Sequence, residues 1–168
     1  MHNDFVIIGP AGDHAGIGGM SSAAAALKKI ADSRSPFISR GDDSGTHKKE
    51  KELWEAAGLL PRGSWYMEVG QGMGAVITIS NDMQAYTIAD RGTYLALKDK
   101  IQLGVLVEGD PALFNPYGII AVNPGRHAHV NYSGALQFIT WITSVEAQEI
   151  ILNFKKRGQI LFYPDAIK

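Results

Sequence analysis

Cysteine is absent from the 168 residues of this chain. Disulfide bonds, thiolate metal sites and a cysteine nucleophile are therefore excluded. No apolar run approaches the roughly 20 residues that a helix needs to span a bilayer. The first residues, MHNDFVIIGP, contain neither a basic segment nor a long apolar segment, so the sequence predicts no signal peptide.

An excess of positive charge is also missing. The chain has 16 lysines and arginines against 17 aspartates and glutamates, and its formal net charge is −1. A surface that binds the phosphate backbone of nucleic acid needs a clustered basic excess, so nucleic acid is not an expected partner. A small local site for an anion remains compatible with this balance.

Short apolar segments alternate with helical patterns along the chain, which predicts an α/β fold with buried sheets. The run Val76–Ile79 is β-branched and favours a strand by propensity alone, with a helix as the alternative if tertiary contacts override propensity. Strands are predicted at FVII (5–8), at FIS (37–39), in LGVLVEGD and in GIIAVNP. The aromatic residues expected to fill the core are Trp65, Tyr66, Phe138 and Trp141.

The stretch SRGDDSGTHKKE at 39–50 joins a predicted strand to a predicted helix. Ser44 is well placed to cap that helix, so that Gly45 and Thr46 open its first turn. The N–H groups of a first turn have no acceptor within the helix and lie at the positive end of the helix dipole. The planar guanidinium of Arg40 suits a tetrahedral oxyanion. These features together are typical of an anion site.

Two interpretations of this stretch stay open from the residues alone. In the first, the hydroxyls of Ser39, Ser44 and Thr46 join the arginine around an anion. Asp42 and Asp43 would repel a dianion directly, so we expect them to lie behind the donors and to orient them. In the second, the stretch is a polar turn before a capped helix, since glycine-rich junctions between strands and helices are common.

Other glycine and charge motifs favour structural roles. GQGMG at 70–74 predicts close backbone packing, with a second helix entry as the alternative. Arg91 in DRGTY predicts a surface ion pair with Asp90 near a helix start.

The histidines do not predict a reactive centre. His127 and His129 alternate in GRHAHV, but no third ligand follows at a recognisable spacing, so no metal site is predicted. His47 lies in the same turn as Ser44, and no G-x-S-x-G elbow is present. A hydrolase arrangement is therefore not expected.

Several longer stretches occur in an order that points to a known family: NDFVIIGPAGDHAGI, FISRGDDSGTHKKEKELW, AYTIADRGTYLA and LVEGDPALFNPYGIIAVNP. With them the chain resembles the tungstate-binding proteins of ABC transporters, solute-binding components related to molybdate-binding proteins. The resemblance covers nearly the whole chain. It implies an α/β, periplasmic-binding-protein-like fold of type II, with one complete lobe plus the C-terminal part of the other. It also implies that residues 70–82 are helical.

The resemblance implies three regions. Residues 1–9 would form a crossing strand or hinge, and residues 10–110 the second α/β lobe with the oxyanion-binding helix N-terminus. Residues 111–168 would form the return hinge and the C-terminal part of the first lobe.

The resemblance also implies a ligand shell. Ser39, Arg40, Ser44, Gly45 and Thr46 would lie at the oxyanion, tungstate or molybdate. It implies no catalytic residue, no protein-ligated metal cation and no cofactor.

One stretch of the family, its N-terminal threonine- and serine-rich motif, has no counterpart in this sequence. The resemblance therefore implies an N-terminally truncated family member. We expect a weakened affinity, because one wall of the cleft would be missing. Uncovered strand edges and apolar faces would favour a homodimer or a domain swap.

The leading functional hypothesis is a binding protein that performs no chemistry. In its full-length form the family is periplasmic or extracytoplasmic and hands its oxyanion to a membrane permease. One alternative is an enzyme domain for phosphate esters, with His47 or an aspartate as acid and base. Another is the ligand-sensing module of a regulator.

Overall fold

The computed structural model describes residues 1–156 and 158–166. The chain divides into two compact units. The larger unit is Asp4–Phe114, and the smaller is formed by Met1–Asn3 with Asn115–Lys168. Within the described residues, no helix combines the length and the apolar character that crossing a membrane requires. Which lobe or hinge of a binding protein each segment forms stays a prediction.

The larger unit alternates strands and helices around two small sheets. Its elements are β1 (His2–Gly9, which begins in the smaller unit), α1 (Ala23–Ser33), β2 (Phe37–Ser39), α2 (Gly45–Ala56), β3 (Tyr66–Glu68), α3 (Met73–Asp82), β4 (Thr87–Asp90), α4 (Arg91–Leu97) and β5 (Gly104–Val107). Strand β1 runs antiparallel to β4 on one side and to β5 on the other. Strand β2 pairs in parallel with β3.

The core of the larger unit is continuous and rich in aromatic side chains. Phe37 packs edge-on against Trp54 at a centroid distance of 5.3 Å and stacks on Tyr66 at 5.8 Å. Helix α1 contributes Leu27 and Ile30, which lie on one face and are fully buried. The core therefore fastens α1 and α2 to β2, the strand that leads into the candidate site.

Helix α3 shows tertiary packing overriding propensity, as the resemblance implied for this region. The helix occupies Met73–Asp82 although its centre is β-branched. Its buried residues, Met73, Val76, Ile77 and Ser80, recur at helical spacing. Burying that face against the neighbouring strands and helix α4 outweighs the β-propensity of single residues.

The smaller unit is mainly helical. Its elements are β6 (Phe114–Pro116), α5 (Tyr132–Ile142), α6 (Val145–Asn153), β7 (Lys155–Lys156) and β8 (Gln159–Ile160). Strand β6 pairs with β1, whose first residues lie in this unit. Asp165 contacts both the N-terminal ammonium at 3.1 Å and His2 Nδ1 at 2.7 Å, so the two ends of the described chain meet here.

Two predictions for the smaller unit are wrong. GIIAVNP forms no strand, because the segment finds no sheet partner in the described residues, and Ile120 is 89% exposed. Phe138 and Trp141 do not fill a core, since they are 53% and 44% exposed. Within this unit α5 is packed mainly against α6, which leaves its other apolar residues uncovered.

Replacing the exposed Thr78 by alanine tests the helical state of Val76–Ile79. In a helix, alanine is favoured over threonine, so Thr78→Ala should raise the free energy of unfolding by about 0.5 kcal/mol. In a strand the same change should lower it. Urea denaturation measures the difference, with Thr78→Gly as the matched control that should destabilise the helix. A loss of stability in Thr78→Ala would contradict the helix.

Candidate anion-binding site

The turn between β2 and α2 is held in an unusual backbone conformation. Gly41 and Asp43 have φ values of +63° and +55°. A Cβ at Gly41 would lie 2.9 Å from Glu68 Cβ, so a side chain is excluded there by space as well as by backbone conformation. Glycine at this position lets the turn lie directly against the end of β3.

The N-terminus of α2 presents backbone donors that no protein group uses. Ser44 caps the helix as predicted, and its Oγ accepts from the N–H of His47 at 3.3 Å. Among the hydrogen bonds of the described residues, none has the N–H of Gly45 or Thr46 as its donor. No atom lies within 4 Å of where a Cβ of Gly45 would be. An anion could therefore approach these two N–H groups closely.

Arg40 is fixed beside this N-terminus by Asp42. Its Nε donates to Asp42 Oδ2 at 3.1 Å, and Nη2 donates to the same oxygen. The other oxygen of Asp42 accepts from the N–H of Ser44 at 3.2 Å. The hydrogen bond from Arg40 holds the pKa of Asp42 well below its ordinary value. Asp42 therefore orients the guanidinium and the cap, which agrees with the supporting role that we predict for it.

The carboxylate of Asp43 is paired with Lys51. Lys51 Nζ donates to its carboxylate at 3.0 Å and lowers its pKa. The backbone N–H of Asp43 donates to Nδ1 of His47 at 3.0 Å. The negative charge of Asp43 is thus paired with a cation, and a supporting role for it remains our prediction.

The ring of His47 is buried and its tautomer follows from its contacts. Since Nδ1 accepts from Asp43, the hydrogen of the neutral ring resides on Nε2. Nε2 is buried, has no hydrogen-bond partner in the described residues, and lies 3.5 Å from Glu68 Oε1. Among the described residues no hydrogen bond joins a ring nitrogen of His47 to the hydroxyl of Ser44, so the nucleophile–base pair of a serine hydrolase is not formed.

A buried polar cluster behind the turn was not predicted from the sequence. Glu50 is 2% exposed, and its Oε1 accepts from Trp54 Nε1 at 3.2 Å and from the hydroxyl of Tyr66 at 2.8 Å. Burial raises the pKa of Glu50 to about 7. The charged run KKEKELW predicts a solvated face, and nothing in the sequence distinguishes Glu50 from its exposed neighbours.

Ser39 belongs to the same cluster. Its side chain is fully buried, and its Oγ makes no hydrogen bond of normal geometry in the described residues. The hydroxyl is nevertheless close enough to Glu50 and Tyr66 to lower the pKa of both groups, against the larger effect of burial. A buried hydroxyl with spare hydrogen-bonding capacity therefore lies where the turn begins.

The other candidate motifs have structural roles. Arg91 forms an ion pair near the start of α4, but its partner is not the predicted Asp90. It binds Asp4 through two hydrogen bonds of 2.6 Å and Glu108 through one of 2.7 Å. Asp90 instead caps α4 by accepting from the N–H of Thr93 at 2.9 Å. These contacts fasten the start of α4 to β1 and to the residue that follows β5.

GQGMG and the paired histidines also contribute no site. Gly72 is the N-cap of α3 and makes no side-chain cap, so this stretch is a helix entry. His127 and His129 are exposed, with ring centroids 6.3 Å apart. Among the described residues, no group of three or more histidines, cysteines or carboxylates could hold a metal ion.

The family of the chain follows from a domain match. The model of the PBP superfamily domain matches residues 1–146, so the fold and the match together define a binding protein of this superfamily. The predicted periplasmic-binding-protein-like fold class is thereby confirmed.

Similar proteins define the family more closely. Tungstate-binding protein TupA of Peptoclostridium acidaminophilum is 48% identical over 172 residues, which cover 100% of this chain and 60% of that protein. The structure of TupA from Desulfovibrio alaskensis G20 has a TM-score of 0.87 and 44% identity, covering 99% of this chain and 69% of that one. The tungstate ABC transporter structure from Geobacter sulfurreducens has a TM-score of 0.82 and 52% identity. The match covers 92% of this chain and 66% of that one.

The chain belongs to the family of the tungstate-binding proteins of ABC transporters. It spans 60% of the length of the P. acidaminophilum protein. The family consists of transport proteins that bind an oxyanion as a ligand, not of enzymes. The hypothesis of a phosphate-ester enzyme is therefore rejected.

The buried Glu50 predicts a pH dependence of stability. Its pKa is raised by burial from 4.5 to about 7 in the folded chain. The carboxyl is protonated in both states below about pH 4.5, where its contribution to stability is complete. As the pH rises towards 7 the unfolded chain loses this proton first, so the contribution falls by about 3 kcal/mol and then stays constant. Relative to Glu50→Gln, the wild type should lose stability across this window in urea denaturation.

The control for this experiment is the exposed Glu55 on the same helix. Glu55→Gln should follow the wild type at every pH, because its side chain lies in solvent. Equal pH profiles for the wild type and Glu50→Gln would show that Glu50 is not the group responsible.

Proposed function

We propose that this chain is a solute-binding component of an ABC transporter that binds tungstate or a similar tetrahedral oxyanion such as molybdate. The observation that carries the proposal is the N-terminus of α2, where the unused N–H groups of Gly45 and Thr46 lie in the same turn as Arg40. This arrangement offers donors only, and a fully deprotonated oxyanion offers acceptors only. The relatives that bear the name tungstate-binding protein support this choice of ligand.

We assign five residues to contact with the oxyanion. Arg40 supplies its charge, the backbone of Gly45 and Thr46 supplies N–H donors, and hydroxyls come from Ser39, Ser44 and Thr46. Behind them, the carboxylates of Asp42 and Asp43 are each paired with a cation of the protein. The pairing leaves the turn able to accept a dianion despite its two aspartates.

We propose that this chain alone binds the oxyanion weakly. All five assigned residues lie within the segment 39–46 of the unit Asp4–Phe114. They would therefore contact the oxyanion from one side only. An anion held from one side keeps much of its hydration and competes with solvent for each donor. Delivery to a membrane permease, and an extracytoplasmic location, are proposed from the family. No contact in the described residues favours the ligand-sensing module of a regulator.

Removal of the Arg40 charge tests the site. Titration of the ¹⁵N-labelled chain with tungstate should shift the amide signals of Gly45 and Thr46, and this readout also works for a weak ligand. In Arg40→Ala the dissociation constant should rise roughly 10- to 100-fold, which corresponds to the loss of a hydrogen bond to a charged group.

Arg62→Ala is the matched control, because it removes the same charge at an exposed position outside the turn. Its affinity should remain within about twofold of the wild type. Tungstate binding that persists unchanged in Arg40→Ala would refute the assignment.

We further propose that the chain associates with a second copy through its smaller unit. Ile120, Phe138, Trp141 and Val145 are large apolar residues of that unit, each at least 44% exposed. Exposed apolar residues in such number are more typical of an interface than of a free surface. In a dimer, the apolar surface of each copy would be covered by the same surface of the other copy.

Sedimentation velocity over a range of concentrations tests this association. The wild type should form dimers as its concentration rises, and Phe138→Asp should shift the equilibrium towards the monomer. Leu60→Asp is the control, since Leu60 is an exposed apolar residue of the larger unit. A wild type that sediments as a monomer throughout would exclude the proposal.

A further inference from the structure

The ring of His47 joins the turn between β2 and α2 to the helix that follows it. His47 is 3% exposed, and its Nδ1 accepts the backbone N–H of Asp43 at 3.0 Å. A side chain in the first turn of α2 thus reaches back to the residue before the Ser44 cap. At the other ring nitrogen, Nε2 lies 3.5 Å from Oε1 of Glu68, the last residue of β3. The ring therefore contacts both the turn and the strand beside it.

Asp43, which donates this hydrogen bond, has an unfavourable backbone conformation. Its φ is +55°, in the left-handed region. Aspartate tolerates this region better than most residues, but the conformation still costs free energy and persists only where the surroundings impose it. Two contacts of Asp43 can do so: its N–H is bound by His47, and its carboxylate is bound by Lys51. The pair with Lys51 joins two exposed side chains and contributes little, so the contact with His47 is the stronger constraint on the backbone.

Packing alone does not account for a histidine at this position. An apolar ring of similar size would fill the same space, but it would leave the N–H of Asp43 without its acceptor. An accepting nitrogen needs a free lone pair, so Nδ1 of His47 has no hydrogen and the hydrogen of the neutral ring resides on Nε2. The carboxylate of Glu68 near Nε2 favours the same tautomer. The contacts at the two ring nitrogens are therefore compatible with one state of the ring.

The contact with His47 also helps to decide which backbone donors the N-terminus of α2 offers. The N–H of Asp43 is bound by the ring, and the N–H of Ser44 donates to a carboxylate of the turn at 3.2 Å. The N–H of His47 itself donates to the Ser44 hydroxyl at 3.3 Å. Among the hydrogen bonds of the described residues, none uses the N–H groups of Gly45 and Thr46. Two neighbouring donors are thus left, and they are the two that the proposed function assigns to the oxyanion.

We propose that His47 is a positioning residue for the oxyanion: by accepting the N–H of Asp43, it holds the turn in the conformation that presents the two remaining donors. The inference rests on the proposed function, since it needs the N–H groups of Gly45 and Thr46 to bind the oxyanion. His47 needs no contact with the ligand, because it acts through the backbone of the turn. Without its acceptor, the turn would be ordered for only part of the time, and the oxyanion would bind less tightly because each binding event would have to order it.

Two substitutions separate the acceptor of the ring from its volume. His47→Asn is smaller, but its Oδ1 is bonded to Cγ as Nδ1 is in histidine, so it can accept the same N–H. His47→Phe fills the space but has no acceptor. In tungstate titrations of the ¹⁵N-labelled chain at constant pH, the dissociation constant should rise about 3- to 10-fold in His47→Phe, which corresponds to the loss of one hydrogen bond. In His47→Asn it should stay within about twofold of the wild type. His129→Phe makes the same change at an exposed position and should leave the affinity unchanged.

The amide of Asp43 gives a second readout that the packing of the ring would not change. Its hydrogen exchange should be slow in the wild type and in His47→Asn, and about tenfold faster in His47→Phe. In the wild type, tungstate at ten times its dissociation constant should slow this exchange by roughly tenfold, because the ligand binds only the ordered turn. The amide of Gly125, which donates to Asn123 Oδ1 in an exposed turn of the smaller unit, should not respond. Long-range ¹H–¹⁵N spectra should place the ring hydrogen of His47 on Nε2.

The outcomes separate this inference from the proposed function. If tungstate binds in an Arg40-dependent manner but His47→Phe binds like the wild type, the positioning role is overturned and the binding function stands. The same holds if His47→Asn binds as weakly as His47→Phe, or if the ring hydrogen is found on Nδ1. If no Arg40-dependent binding is found, both are overturned. Should His47→Phe fail to fold, the exchange of the Asp43 amide in the wild type, with and without tungstate, decides alone.

Discussion

The parallel pairing of β2 with β3 is the constraint on which the candidate site depends. Its register places Ser39 opposite Glu68, and two more backbone bonds extend it beyond the strands. Val69 N–H donates to Ser39 O at 3.1 Å, and Gln71 N–H donates to Arg40 O at 3.2 Å. The ladder therefore continues into the turn, so the start of the turn is held by backbone hydrogen bonds. Because those bonds do not depend on side chains, a ligand meets a turn that is already in place.

Three acidic residues near the turn, Asp42, Asp43 and Glu50, share one property. The carboxylate of Asp42 is bound by Arg40, and that of Asp43 by Lys51. Burial favours the protonated form of Glu50. Each of these three carboxyl groups is thus either paired with a cation of the protein or disfavoured in its charged form by burial. A turn with several carboxyl groups can in this way present mainly donors.

How much could be predicted from the sequence depended on how local each feature is. The Ser44 cap needs only its own turn, and it was predicted from spacing. Helix α3 depends on burial against other elements, so propensity alone favoured a strand and only the family resemblance implied the helix. GIIAVNP has the composition of a strand, but a strand also needs a partner, which composition does not specify. Glu50 is a glutamate in a charged run, and only the folded core shows that it is buried.

The contacts of Arg91 have a consequence for how the larger unit forms. The arginine and its partner Asp4 are 87 positions apart in the chain, and β1, which carries Asp4, is the central strand of its sheet. During synthesis on a ribosome, the apolar segment FVII therefore emerges long before β4 and β5 can cover its two edges. Pairings of such high sequence separation form slowly. The nascent chain must therefore keep this apolar strand unpaired until most of the unit has been translated.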